Sequence, residues 1–167
     1  MKRIAKFEKV SPEQFSAAWQ DTFGCDGTAL YDTIQLPRRA TSGSAGYDFC
    51  TPIGVTLAPG ETAKIPTGVR AWMEDGWVLK IYPRSGLGFK YRLPLNNTVG
   101  IIDSDYYFSD NEGHILIKVT NANTEGKALT LKAGDAFAQG IFLPFGITED
   151  DDVTAARNGG FGSTSRK

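Results

Sequence analysis

The stretch VTLAPGETAKIPTGVRAW, residues 55–72, decides the fold class. In it, short apolar and β-branched runs are broken by the turn signals Pro59-Gly60 and Thr67-Gly68. Runs of this length bounded by glycine and proline are typical of strands joined by tight turns. The stretch therefore predicts consecutive β-strands.

The same pattern of short β-prone runs separated by turn signals begins at Ile34 and continues to Phe145. Further β-prone runs are GWVLKIYPRSG at 76–86, GHILIKVTN at 113–121 and LTLKAGDAFAQGIFLPF at 129–145. Turn signals recur at fairly regular spacing, which favours a sandwich or barrel over parallel βαβ units. We therefore expect an all-β domain.

One helix is predicted ahead of the strands, over residues 12–23. Ser11 is a typical N-cap, Pro12 suits the first helical position, Gln14 would complete a capping box and Gly24 would end the helix. The apolar residues at helical spacing are Phe15, Ala18, Trp19 and Phe23. This face is expected to pack against the main domain or a neighbouring subunit.

Length and composition predict one globular domain, residues 1–167. The chain is 41% hydrophobic and has a formal net charge of −1, so a globally basic surface for binding nucleic acid is missing. Cys25 and Cys50 form neither a CxxC motif nor a disulfide framework, which fits a reducing cytoplasm. The start MKRIAKFEKV lacks an apolar core, and we expect neither an export signal nor a membrane span.

The end of the chain, RNGGFGSTSRK at 157–167, is rich in glycine and hydroxyl groups. Phe161 could stack on a base, Ser163 and Thr164 could donate hydrogen bonds to phosphate, and Arg157 could add a charged contact. A disordered terminus without a role explains the same residues equally well.

A carboxylate directly after an apolar run marks a second candidate site. Ile101 and Ile102 lead into Asp103 and then Asp105. Aspartate is costly to bury, so Asp103 either caps a turn, which is the commoner case, or serves as a general base. A metal pair formed by the two aspartates is a weaker alternative.

Three further segments carry polar residues in suggestive places. Arg84 precedes a predicted Ser-Gly turn in YPRSGLG, Asp48 follows a glycine turn in GSAGYDF, and Gln139 lies among apolar residues in GDAFAQG. Taken singly, the Arg84 segment is more often an ordinary surface turn, and Gln139 fits a satisfied core or edge amide.

Together and in order, AGYDF, PRSGLG, GIIDSDY, GDAFAQ and GGFGSTS resemble the five motifs of the trimeric dUTPase family. The resemblance covers residues 36–167. It implies a jelly-roll or β-clip type of distorted barrel and a homotrimer with shared active sites. It also implies that a mobile C-terminal lid, residues 154–167, closes over sites that hydrolyse dUTP to dUMP and pyrophosphate with Mg²⁺.

The resemblance also implies a role for each matching residue. Asp103 would be the general base, and Asp48 would hold hydrated Mg²⁺ through water. Tyr106 would pack against the deoxyribose and exclude a 2′-hydroxyl. The phosphates would be bound by Arg84, Ser85, Gly86 and Gln139. Uracil would be read by Asn97, Gly100, Ile101 and Ile102. The tail would contribute Arg157, Phe161, Gly162, Ser163 and Thr164.

Three features depart from the family pattern. Arg157 lies one residue nearer the Gly-Gly pair than is usual, so its phosphate role is the less secure. The chain after Tyr106, residues 107–114, is longer than the usual turn, and His114 beside it is expected on the surface. Residues 1–35 form an N-terminal extension with no counterpart in the motifs and no role beyond packing.

Three alternatives remain at this point. A dCTP deaminase or a bifunctional deaminase-dUTPase shares the fold and nucleotide class, but it would need an added residue, usually a glutamate, after Asp103. A nucleotide-gated regulatory protein would use the site as a switch. A plain β-sandwich module would explain the core but not the tail.

Overall fold

The structure, a computed structural model, describes residues 2–155 and residue 157. This part of the chain forms short strands with few helices, so the all-β prediction is confirmed. The strands are β1 (Ala5–Lys9), β2 (Arg38–Arg39), β3 (Tyr47–Cys50), β4 (Val55–Leu57), β5 (Thr62–Pro66), β6 (Val69–Met73), β7 (Trp77–Pro83), β8 (Gly100–Ile102), β9 (Leu116–Thr120), β10 (Leu129–Leu131) and β11 (Ala136–Pro144). The helices are α1 (Pro12–Phe23) and α2 (Ser85–Tyr91), with 3₁₀ segments at Thr28–Thr33 and Ser104–Phe108.

A five-stranded sheet in the order β2-β3-β11-β7-β8 is the largest unit. Three strand pairs, β1-β6, β4-β10 and β5-β9, complete the β-structure, and every described pairing is antiparallel. The predicted turn glycines Gly60, Gly68, Gly76 and Gly134 all have positive φ. Glycine alone adopts this conformation without strain, which is why these positions punctuate the strands.

The core contains side chains from all these sheets. Leu79, Val119, Leu129 and Phe137 are fully buried. Helix α1 adds Phe15 to the same core and packs against β5, so the helix lies on its own domain, the first of the two expected alternatives.

The ends of α1 are confirmed, with one correction. Ser11 accepts a hydrogen bond from the Gln14 N–H at 3.1 Å, and Gly24 adopts the left-handed conformation. The capping box predicted that the Gln14 side chain would accept a hydrogen bond from the Ser11 N–H, and this prediction is wrong. The Ser11 N–H donates instead to the Glu112 carboxylate at 2.7 Å.

Three other local predictions need correction. Strand β1 was not anticipated, because its partner β6 lies about 60 residues further along the chain. The segment after Arg84 is helix α2 and not a simple turn. The described residues therefore contain a second α-helix that the sequence did not predict. His114 is buried at 0% exposure and is not on the surface. No helix among the described residues is long and apolar enough to cross a membrane.

Candidate active site

Asp103 lies at the end of the edge strand of the main sheet. Strand β8 pairs with β7, so that Ile102 opposes Leu79 and is buried, while Ile101 is half exposed. The chain then enters the 3₁₀ segment at Ser104–Phe108, with Asp103 as its N-terminal flanking residue. The Asp103 side chain is 48% exposed and forms no hydrogen bond to that segment. A strand therefore presents this carboxylate to the surface at a fixed position.

Arg157 occupies the space beside Asp103. Its guanidinium pairs with the Asp103 carboxylate, and its Nε lies 2.9 Å from Asp105 Oδ1. The guanidinium carbon is 5.6 Å from the centre of the Tyr106 ring, within the range of a cation–π contact. Asp103, Asp105 and Tyr106 thus surround one small space. A contact between Arg157 and phosphate stays a prediction.

Tyr106 is held at its hydroxyl end. Its hydroxyl donates to the His114 carbonyl at 2.8 Å and accepts from Asn111 Nδ2 at 2.8 Å. The residue is 4% exposed, and burial raises the pKa of its phenol, partly offset by Asn111 and Arg157. It stays a neutral, fixed ring beside the carboxylates.

A second group of polar side chains lies on the middle strands of the main sheet. Asp48 in β3 and Gln139 in β11 are directly opposite in the strand register. The Arg84 Nε lies 3.3 Å from Asp48 Oδ1. Gln139 donates from Nε2 to the Pro83 carbonyl at 3.2 Å, so it is a satisfied amide of a half-buried strand position.

Ser85 and Gly86 lie in the first turn of α2, next to Arg84. A cavity of about 550 Å³ opens beside them and is lined on its other side by Leu129 to Leu131 of β10 and by Asp135. Lys90 of α2 also lines this cavity. Two cationic side chains and the Ser85 hydroxyl make it suitable for an anionic ligand.

The chain before β8 makes a tight turn at Asn97. The Val99 N–H donates to the Asn97 carbonyl at 2.7 Å, and Thr98 has a φ of +67°. Strand β8 is the last strand of its sheet, so its outer side carries backbone groups without a partner strand in the described chain. Such an edge can read a planar ligand through N–H and C=O groups.

The structure brings the predicted residues together in two separate groups. Asp103, Asp105, Tyr106 and Arg157 form one, while Asp48, Arg84 and Gln139 form the other. No hydrogen bond or ion pair between described residues joins the two. Phe161, Gly162, Ser163 and Thr164 lie outside the described residues.

Sequence reasoning missed the residues that surround Tyr106. Asn111 and the His114 carbonyl hydrogen-bond to the Tyr106 hydroxyl, Glu112 between them binds Ser11, and no motif marks these three residues. The one available signal was the unusual length of the segment after Tyr106.

Comparison with known proteins decides the family. The dUTPase family model matches residues 32–165. The chain belongs to the dUTPase family. A deoxyuridine 5'-triphosphate nucleotidohydrolase of Lactococcus lactis is 43% identical over 134 residues, covering 78% of this chain and 88% of the relative.

Solved dUTPases share the fold. The dUTPase of Streptococcus mutans superposes with a TM-score of 0.65 at 34% identity, covering 86% of this chain and 98% of its own. The dUTPase of Staphylococcus bacteriophage 80alpha, solved with dUPNHPP, gives a TM-score of 0.65 at 21% identity and covers 97% and 98%. At that identity the likeness concerns the fold alone.

Proposed function

We propose that the protein hydrolyses dUTP to dUMP and pyrophosphate. The observation that carries the proposal is Asp103, a half-exposed carboxylate fixed at the end of β8 between the predicted uracil-reading edge and Tyr106. Membership of the dUTPase family supports the substrate.

Asp103 would act as the general base. A water oxygen bonds to the α-phosphorus, its proton passes to the Asp103 carboxylate, and the bond to the bridging oxygen breaks to release pyrophosphate. In the structure Arg157 pairs with Oδ2 of this carboxylate, and the second oxygen, Oδ1, can accept the proton. The anionic triphosphate would compete with Asp103 for the Arg157 guanidinium.

Mg²⁺ fits the second group only as a hydrated ion. The described residues contain no cluster of three or more His, Cys, Asp or Glu side chains that could hold a metal directly. Asp48 is a single, partly exposed carboxylate that pairs with Arg84, and Arg84 lines the cavity beside α2. Mg²⁺ keeps several waters and binds through few carboxylates together with phosphates, so Asp48 would contact it through water. The ion would supply charge neutralisation on the phosphates.

Selection of base and sugar would follow from the edge of β8 and from Tyr106. The backbone at Asn97, Gly100, Ile101 and Ile102 offers fixed donors and acceptors, which discriminate uracil from cytosine because their patterns differ. The Tyr106 ring would pack on the deoxyribose. Arg84, Ser85, Gly86 and Gln139 would bind the phosphates, and the tail residues would cover them.

A homotrimer with sites shared between subunits would join the two groups. Within one chain, no hydrogen bond or ion pair between described residues joins Asp103 to the group of Asp48, Arg84 and Gln139. A neighbouring subunit that brings its Asp103 to the Asp48 group would complete a site. The cytoplasmic location also stays a prediction.

The test is pyrophosphate release from dUTP, dCTP, dTTP and UTP, with and without Mg²⁺. We expect release from dUTP alone, and a fall in kcat of at least about 100-fold for Asp103→Asn, because proton transfer by a positioned base contributes that much or more. Asp32→Asn, which changes an exposed carboxyl on the Thr28–Thr33 segment, is the matched control and should keep wild-type kcat.

Two outcomes would contradict the proposal. Full activity of Asp103→Asn would remove the general base. Release of dUMP or dUTP from dCTP would instead indicate the deaminase alternative.

A further inference from the structure

The segment after Tyr106 folds back on the tyrosine that precedes it. The Ser109 Oγ lies 2.6 Å from the Tyr106 carbonyl and 2.7 Å from Asn111 Oδ1. Asn111 then places its Nδ2 at 2.8 Å from the Tyr106 hydroxyl. The tyrosine is therefore bound at its backbone and at its hydroxyl by residues three to five positions later.

The donor and acceptor assignment of Asn111 is fixed by its neighbours. The Tyr106 hydroxyl has one proton and gives it to the buried His114 carbonyl at 2.8 Å. It can then only accept a second hydrogen bond, so Asn111 must present its NH₂ group to it. The amide Oδ1 lies 2.7 Å from the Ser109 Oγ, whose single proton is shared between this oxygen and the Tyr106 carbonyl. An aspartate at position 111 could not reproduce this arrangement.

The segment is anchored to the N-terminal part of the chain. Glu112 has a φ of +57°, a region that non-glycine residues seldom adopt. Its carboxylate accepts from the Ser11 N–H at 2.7 Å and from the Ser11 Oγ at 2.6 Å. Burial would raise the pKa of Glu112, but the bonds from Ser11 lower it, so the anchor is charged at neutral pH. The unusual backbone at Glu112 is thus held by the start of α1.

A second anchor lies at the end of the segment. The His114 Nε2 accepts from the Gly68 N–H at 2.9 Å, and the Gly68 carbonyl in turn accepts from Val10 at 3.0 Å. Gly113 allows the close return, because a Cβ there would lie 2.8 Å from the Tyr106 carbonyl oxygen. The N-terminal residues that make these contacts, Val10 and Ser11, precede the region matched by the family model.

We propose that Asn111 is a positioning residue that fixes the Tyr106 ring, and that the N-terminal segment supports it through Ser11 and Glu112. One face of that ring meets the Arg157 guanidinium, which is bound to Asp103, so the ring faces the reacting region. The inference rests on the proposed function. A ring held at its hydroxyl cannot tilt away from the sugar of the substrate. The hydrogen bond from Asn111 therefore sets how strictly a sugar with a 2′-hydroxyl is rejected.

The test compares kcat and KM for dUTP and UTP in the wild-type protein and in Asn111→Leu and Asn111→Asp. We expect both variants to lower the dUTP-over-UTP ratio of kcat/KM by about five- to tenfold, the factor that one hydrogen bond is worth. The change should come mainly from a lowered KM for UTP, because a ring that can tilt leaves room for the 2′-hydroxyl, with little change in kcat or in the KM for dUTP. Glu112→Gln, which weakens the anchor without touching Tyr106, should lower the ratio less.

A double-mutant cycle separates positioning from general destabilisation. If Asn111 acts through the Tyr106 hydroxyl, Asn111→Leu should not lower the ratio further in a Tyr106→Phe background. Glu61→Gln is the matched control for Glu112→Gln, since Glu61 also accepts a backbone N–H, from Ala58 at 2.7 Å, in a turn that contains none of the site residues. It should leave the ratio unchanged.

The outcomes distinguish this inference from the function on which it depends. The inference is overturned, and the proposed function is kept, if the wild-type protein prefers dUTP and the dUTP-over-UTP ratio of kcat/KM is unchanged in Asn111→Leu, Asn111→Asp and Glu112→Gln. An additive loss in the Tyr106→Phe background would do so too. No turnover of dUTP by the wild-type protein would overturn both.

Discussion

At the scale of single residues, buried His114 makes stability depend on pH. The side chain is fully buried, and burial lowers its pKa from 6.5 to about 4, with the Glu112 carboxylate acting in the opposite direction. As the pH falls below 6.5, the unfolded chain takes up a proton that the folded one refuses. The stabilisation is therefore complete above pH 6.5 and is lost between pH 6.5 and 4.

We expect the free energy of unfolding to fall by about 2 kcal/mol between pH 7.5 and pH 5 because of this residue. Urea denaturation at the two pH values measures it. His114→Gln keeps an acceptor for the Gly68 N–H but has no titratable group, so its loss over the same range should be smaller. An equal loss in the two proteins would assign the pH dependence to other groups.

Residues whose role is local could be predicted from the sequence, and those with distant partners could not. Ser11 and Gly24 cap α1 as expected, because a cap depends on residues within one helical turn. Asp103 ends its strand as expected from the apolar run before it. His114 was misjudged, since its burial depends on Phe15 and Gly68, both about 50 or more residues away. The partners of Arg157 were missed for the same reason.

At the scale of elements, the turn after α1 depends on a glycine that the sequence does not single out. A Cβ at Gly27 would lie 2.3 Å from Cγ of Trp19, a ring that is 3% exposed and packs against Phe15 and Phe23. Gly24 was expected to end the helix, but the requirement at Gly27 comes from side-chain packing, which the turn pattern does not show.

Gly27→Ala should therefore destabilise the protein by about 1 to 3 kcal/mol, the usual cost of overpacking. Thermal or urea unfolding at neutral pH measures the effect. Gly146→Ala is the matched control, because a Cβ there meets nothing within 4 Å, and it should change stability by less than about 0.5 kcal/mol. Equal midpoints for the two variants would show that Trp19 moves aside at no cost.

At the scale of the whole molecule, the two polar groups of the candidate site lie on different parts of the main sheet. Asp48, Arg84 and Gln139 meet on the middle strands, whereas Asp103 and Tyr106 lie beyond the edge strand β8. The motifs predicted which residues matter, but a symmetric interface is not encoded in any local pattern. A proposal of shared sites therefore needs a test that depends on mixing subunits.

Complementation between inactive variants supplies that test. Arg84→Ala removes a phosphate ligand from one group, and Asp103→Asn removes the base from the other. If each site combines the two groups from different subunits, then random mixing in equal amounts leaves roughly a quarter of the sites intact. Co-expressed Arg84→Ala and Asp103→Asn chains should therefore regain about that fraction of wild-type dUTP hydrolysis.

The control mixes Arg84→Ala with Asp48→Ala. Because these residues share one group on one chain, no combination restores it, and activity should stay at the level of either variant alone. Recovery in neither mixture would place the complete site within a single subunit, and Asp103 would then have to reach the Asp48 group by a rearrangement of its own chain.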